Sequence, residues 1–243
     1  MSVISGQIKL PDITAFLEFL GNTCPELQAI GLEGWEKLTD DHMAFLLNSF
    51  QLQRFDLSSI TSVTLRNRSI VSTASLVNMI QVTGDRLTHL NLANNRLPGV
   101  SKVLTALTAN CPNLELLDLS NTRTAICRGN ASGIVSIEEL QNGCSKLRIL
   151  RLANSWLTFN DAPVEEDVSA VGFVHLEQLS VASKANEVSL VNDNILERLL
   201  KSSVNLKLLD IRGAKFSYQT LDRIPADRLM HLFLSRSSVT SEG

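Results

Sequence analysis

Four cysteines, four histidines and one acidic run carry most of this chain's capacity to hold a metal or activate a bond. Three of the cysteines share a setting. "NTCPELQAIGL" (22–32), "NCPNLELLDLSN" (110–121) and "GCSKLRILRL" (143–152) each place a cysteine three residues before a leucine, at Cys24, Cys111 and Cys144. A structural zinc site needs about four ligands converging on one point. No C-x-x-C and no neighbouring histidine pair supplies them here. A free cysteine otherwise behaves as a small buried hydrophobe. The spacing therefore predicts core-facing, reduced, metal-free thiols, and no cofactor. Cys127 falls outside the pattern, and nothing beside it would activate a thiolate. His42, His89, His175 and His231 are scattered, and no G-x-S-x-G, P-loop or H-E-x-x-H occurs. Glu165-Glu166-Asp167 sits in the irregular "NDAPVEEDVSAVG", either a solvated loop or a loop that touches a partner. These residue types do not assemble into a catalytic set, so the chain is not expected to be an enzyme.

The elements that position these residues come from an internal repeat. L-x-x-L-x-L, with conservative replacements, occurs at Leu27-Ile30-Leu32, Leu52-Phe55-Leu57, Leu87-Leu90-Leu92 and Leu114-Leu117-Leu119. It recurs at Leu147-Leu150-Leu152, Leu176-Leu179-Val181, Leu206-Leu209-Ile211 and Leu229-Leu232-Leu234. The steps between first leucines are 25, 35, 27, 33, 29, 30 and 23 residues, near the roughly 20–29 of a leucine-rich repeat with insertions. "LTHLNLANNRLPG" (87–99) carries the full pattern, with Asn95 at the asparagine position. Each motif reads as a short strand, followed by a returning helix.

The return segments fit that scheme. Ile13, Phe16, Leu17 and Leu20 share one helical face, as do Met43, Leu46, Leu47 and Phe50, and Leu196, Leu199 and Leu200. Ser136 to Glu139 has the form of a capping box. One such unit cannot bury its own edge, so neighbours must stack. The expected fold is α/β: a leucine-rich-repeat solenoid of about eight repeats, with parallel strands on the concave face and helices on the convex face.

Composition agrees with a folded protein-binding domain. The chain has 243 residues, 44% hydrophobic and 19% charged, enough for a core. A net charge of −3 and twelve aromatics, one of them Tyr, argue against nucleic acid and anionic membrane as partners. No apolar run has the length of a membrane span, and "MSVISGQIKLPD" lacks the pattern of a secretory signal. The cytoplasm or nucleus is the expected location, and the sequons at Asn67 and Asn130 read as chance. The tail "LFLSRSSVTSEG" follows a strand with no return helix. The whole of 1–243 is therefore expected to be one repeat domain, truncated at both ends.

Alternation along a strand predicts which residues meet a partner. Motif positions 3 and 5 should face solvent. Position 3 reads Ala29, Arg54, His89, Leu116, Ile149, Gln178, Leu208 and His231. Position 5 reads Gly31, Asp56, Asn91, Asp118, Arg151, Ser180, Asp210 and Phe233. Leu116, Ile149, Leu208 and Phe233, framed by Asp118, Arg151, Asp210 and His231, form the expected partner-binding face for a protein substrate.

The segments "IEELQNGCSKLRILRL", "GFVHLEQLSVAS", "VNDNILERLLKSSVNLKLLDIRG" and "LDRIPADRLMHLFL" resemble the F-box and leucine-rich-repeat family, as does the recurring Cys-x-x-Leu junction. The resemblance implies the substrate-recognition part of an SCF-type (Skp1–cullin–F-box) E3 ubiquitin ligase receptor, which recruits proteins for ubiquitin-dependent degradation and does no chemistry itself. In that family an F-box docks on the Skp1 adaptor. "KLPDITAFLEFL…GW" (9–35) superficially resembles the start of one, but Leu27-Ile30-Leu32 within it is in register with the other repeats. Ile8 and Leu10 look like the end of a preceding repeat. Binding to the Skp1–cullin complex is thus expected only through an F-box absent from this chain. The alternative is a stand-alone leucine-rich-repeat scaffold or inhibitor outside the ubiquitin system.

Overall fold

The computed structural model describes residues 12–35, 37–60, 71–122, 134–159, 172–183 and 191–240. Its first half runs α1 (Ile13–Thr23), β1 (Ala29–Gly31), α2 (Asp40–Ser49), β2 (Arg54–Asp56), α3 (Thr73–Thr83), a 3-10 turn (Gly84–Arg86), β3 (His89–Asn91), α4 (Val100–Asn110) and β4 (Leu116–Asp118). The second half runs β5 (Ile134–Ser136), α5 (Ile137–Gly143), β6 (Ile149–Arg151), β7 (Trp156–Thr158), β8 (Gln178–Ser180), α6 (Asp193–Leu200), β9 (Leu208–Asp210), β10 (Lys215–Ser217), α7 (Tyr218–Asp222), β11 (His231–Phe233) and β12 (Ser238–Thr240).

Positions 3 to 5 of all eight motifs become strands, and those strands form one all-parallel sheet in the order β1-β2-β3-β4-β6-β8-β9-β11. The protein is therefore α/β, with an eight-stranded parallel sheet alternating with helices. Register follows the motif, position on position: Leu117 pairs with Leu150, Leu150 with Leu179, and Leu179 with Leu209. The position-4 residues from Ile30 to Leu209 are buried in one core with Met43, Leu46, Leu104, Leu140, Leu196 and Leu199 of the helices. Leu232, the position-4 residue of β11, is 42% exposed, because no strand lies beyond β11 among the described residues.

Turns after the strands obey a second periodicity. The residue three beyond position 5 has positive φ at Gly34, Ser59, Asn94, Asn121, Asn154, Gly213 and Arg236. That conformation suits glycine and asparagine, whose short side chains tolerate the left-handed region. Its N–H donates to the turn carbonyl of the next repeat, as in Asn94 to Ser120 (2.8 Å) and Asn121 to Ala153 (2.8 Å). The amide of Asn121 donates to Asn94 and that of Asn154 to Asn121, a short ladder along the turns. Asn95 is buried, and its amide donates to the carbonyls of Leu57 (2.7 Å) and Leu92 (3.0 Å), tying two turns together. Thr122, Ser155 and Ser237 stand at the same motif position and donate hydroxyls to equivalent carbonyls.

The helix ends explain the cysteines. Cys111 and Cys144 cap α4 and α5, donating N–H to Leu107 and Leu140, while their carbonyls accept from Leu114 and Leu147. Both side chains are fully buried, as the spacing predicts. Cys24 caps α1 in the same way but is exposed, which corrects the expectation of a core-facing thiol there. It belongs to the first described repeat, which has a described neighbour on one side only. Ala226, at the same place in the last repeat, is exposed for the same reason.

Other expectations need adjustment. Ser136 caps α5 through the N–H of Glu139, but the Glu139 carboxylate accepts from Thr105 of α4 instead of closing a box. The reciprocal capping box stands at Thr39 and His42 on α2. Gly143 ends α5 where a Cβ would overlap the backbone of Thr108, so α4 and α5 approach closely because that residue is glycine. Arg198 of α6 is buried, paired at 3.0 Å with Glu138 of α5 and stacked over Phe159. The chain also continues past β11 into β12, which pairs in parallel with β10. Cys127, the sequons, the acidic run and the residues before Asp12 lie outside the described residues.

Candidate partner-binding face

The solvent-facing side of the sheet carries the residues picked out by alternation. At position 3, Leu116, Ile149, Gln178 and Leu208 are all half-buried, and His231 is exposed. Pairing makes Leu116 and Ile149 direct neighbours. Gln178 lies between Ile149 and Leu208, and Phe233 belongs to the position-5 row. The four apolar residues therefore do not form one continuous cluster. Leu116 with Ile149 is one apolar pair, and Leu208 stands beyond an amide.

Position 5 departs further from expectation. Asp118 and Asp210 are each only 7% exposed, although alternation turns them outward. Each carboxylate reaches back to the turn that follows it. Asp118 accepts from the N–H of Ser120 (2.9 Å) and Asp210 from that of Arg212 (3.3 Å). Asp56 and Asn91 do the same for Ser58 and Ala93. This is the local side-chain-to-backbone bonding that makes Asp and Asn turn residues. The aspartates thus hold the turns before they frame any partner, and the guanidinium groups are what protrude.

Arg151 extends from β6 and approaches Asp118 at 3.8 Å. Arg212 grips Asp210 through Nε and Nη2, at 2.8 and 2.7 Å, and its guanidinium lies 5.8 Å from the Phe233 ring centroid. Burial pushes the Asp210 carboxyl up, but hydrogen bonds from Arg212 and Ser180 and the Arg212 charge outweigh it and leave it below its ordinary value. Sequence reasoning missed Arg212. The signal was the arginine two residues after the turn aspartate in "DIRG".

A second charged row, also missed, runs along the N-terminal ends of the strands at motif position 2. Arg148 and Lys207 both bind Glu177, at 2.6 and 2.8 Å. Hydrogen bonds from Lys207 and then Arg148 hold the Glu177 carboxyl below the usual range. The alternating Glu115, Arg148, Glu177 and Lys207 was visible once motifs were aligned on that column. His89 is half-buried against Thr88, and burial together with nearby Arg54 lowers its pKa.

The nucleophile-type side chains Cys111 and Cys144 lie in the core, and burial pushes both thiols up to about 12, with Asp85 adding to Cys111 and Cys111 and Glu139 adding to Cys144. Among the described residues, no group of three His, Cys, Asp or Glu is placed to hold a metal ion. Among them also, no helix is long and apolar enough to cross a membrane. No protein-family model matches the chain.

Proposed function

We propose that this chain is a protein-binding leucine-rich-repeat solenoid, the substrate-recognition part of an SCF-type ubiquitin-ligase receptor. The observation that carries the reading is the sheet face. Eight motifs in register present a continuous solvent-facing row in which Leu116 and Ile149 are neighbours within a frame of arginines. Apolar anchors inside a polar rim are the arrangement of a protein interface. The resemblance in the sequence adds the link to ubiquitin ligation. In this reading the protein works in the cytoplasm or nucleus, uses no cofactor and catalyses nothing. A second reading, a stand-alone scaffold or inhibitor, draws support from β1. Residues 29–31 of the stretch that superficially resembles an F-box are spent on a sheet strand.

Quantitative capture from cells tests both. Proteins bound by the wild-type chain and lost with Leu116→Asp plus Ile149→Asp are the expected outcome, with the melting temperature kept. Those proteins should accumulate and lose ubiquitin when the natural protein is depleted. Capture that ignores the double substitution overturns the face. Capture that depends on the face, with partner abundance unchanged on depletion, favours the scaffold.

A further inference from the structure

We infer that the partner segment seated on this face is an acidic polypeptide stretch carrying aliphatic side chains. This rests on the reading of the sheet face as a protein-binding surface and goes on to name the partner's chemistry.

The basis is an asymmetry of exposure within each ion pair. Side-chain exposure is 45% for Arg151 against 9% for Asp118, and 44% for Arg212 against 10% for Asp210. At the other row it is 53% for Arg148 and 48% for Lys207, against 23% for the Glu177 they share. The carboxylates are recessed, two of them tied to turn amides, and the cations stand in front of them. Apart from half-buried Glu115 at the β4 end, the most exposed charges that an approaching molecule meets on both sides of the Leu116–Ile149–Gln178–Leu208 seam are therefore cationic. Arg148 and Lys207 line the N-terminal ends of the strands, and Arg151 and Arg212 line the opposite side. Across β4 to β9 the seam spans about 14 Å, the reach of four or five extended residues. Guanidinium groups bind carboxylates with two parallel hydrogen bonds, so the partner's Asp and Glu would orient it while its aliphatic residues fill the seam.

A nucleic acid fits less well. The four cations stand beside Asp118, Glu177 and Asp210. A strip so close to neutral gives a continuous phosphate backbone little net attraction, because binding one draws on the release of many counterions by unbalanced cations. A peptide with two or three carboxylates asks for no such excess.

The test is selection from a displayed library of random peptides on the 243-residue chain. The best enriched sequence is then synthesised and its affinity measured by fluorescence anisotropy against the wild type and against Arg148→Gln, Arg151→Gln and Ile149→Asp. Enriched peptides should combine Asp or Glu with Leu, Ile or Val. Affinity should fall about tenfold for each arginine removed and fall with rising salt. Enrichment of neutral or basic peptides that Ile149→Asp abolishes overturns the acidic partner and leaves the protein-binding face standing. Binding that ignores Ile149→Asp sinks the face itself. No enrichment, or tighter binding of a single-stranded RNA oligonucleotide than of any peptide, also overturns the inference.

Discussion

Leu150 and Leu232 occupy the same position of the same motif, yet truncating them to alanine should cost very different amounts. Leu150 is fully buried between Leu117 and Leu179. Leu150→Ala loses the transfer free energy of the removed atoms and leaves a cavity that strands on both sides prevent from closing. Buried Leu→Ala changes of this kind cost about 2.7–5 kcal/mol. Leu232 is 42% exposed, so a little over half of its burial is at stake. Full burial of a leucine is worth roughly 1.5–3 kcal/mol, which scales to about 1–1.7 kcal/mol, with no closed cavity to add because water reaches the space. The expected gap is on the order of 2 kcal/mol or more. Urea denaturation followed by far-UV circular dichroism measures it, and hydrogen exchange locates it. Leu232→Ala should speed exchange around β11 and β12 alone, whereas Leu150→Ala should lower protection throughout the sheet. Equal costs would show that something covers β11 in solution. A cost below about 1 kcal/mol for Leu150→Ala would show that position 4 of β6 does not face the core.

Arg198→Ala removes one member of a buried pair and should destabilise by about 3–5 kcal/mol, whereas Arg148→Ala, in an exposed pair, should cost under about 1 kcal/mol; thermal melts compare the two. With pKa values near 12, Cys111 and Cys144 hold on the order of one thiolate in 10⁵ at neutral pH. Iodoacetamide on native protein should therefore spare both and modify exposed Cys24, as peptide mass spectrometry reads out. Asp210 has its folded pKa below the ordinary 3.8, so the unfolded chain takes the proton first as pH falls. The stability it contributes is complete above that ordinary value and is lost as pH drops through the folded one. Unfolding midpoints measured below pH 4 should fall less steeply for Asp210→Asn than for wild type.

The sheet was legible because its determinants are local and repeated. A leucine at positions 1, 4 and 6 is a statement about one strand, and eight copies fix pairing, register and the inward face together. Even Leu27-Ile30-Leu32, inside a stretch with another possible reading, was placed by register alone, and β1 confirms that placement. What failed depended on neighbours. Cys24 and Cys111 have the same sequence setting and opposite exposure, because burial of a junction residue comes from the adjoining repeat and not from the motif. Glu139 satisfies the capping-box pattern but bonds to α4, since Thr105 across the helix interface offers a competing donor.

The position-5 aspartates show why a surface is harder to read than a core. Alternation of the strand turns Asp118 and Asp210 toward solvent, and a count of charges on that face then gives near-balance. But a short acidic side chain beside a turn has backbone N–H donors within reach, and it folds back to them. A long basic side chain has no such local acceptor geometry and keeps its head in water while pairing from above. The same composition therefore separates by depth, carboxylates below and guanidinium groups above. Chain length of the side chain, which hydropathy ignores, decides the sign of the outermost layer. Replacing Asp210 by Glu tests this directly. The added methylene should weaken the bond to the Arg212 N–H and lift the carboxylate outward. Peptide affinity should then fall severalfold with little change in melting temperature. An unchanged affinity together with a collapsed melting temperature would mean that the carboxylate serves the turn alone and that its depth does not set the charge of the face.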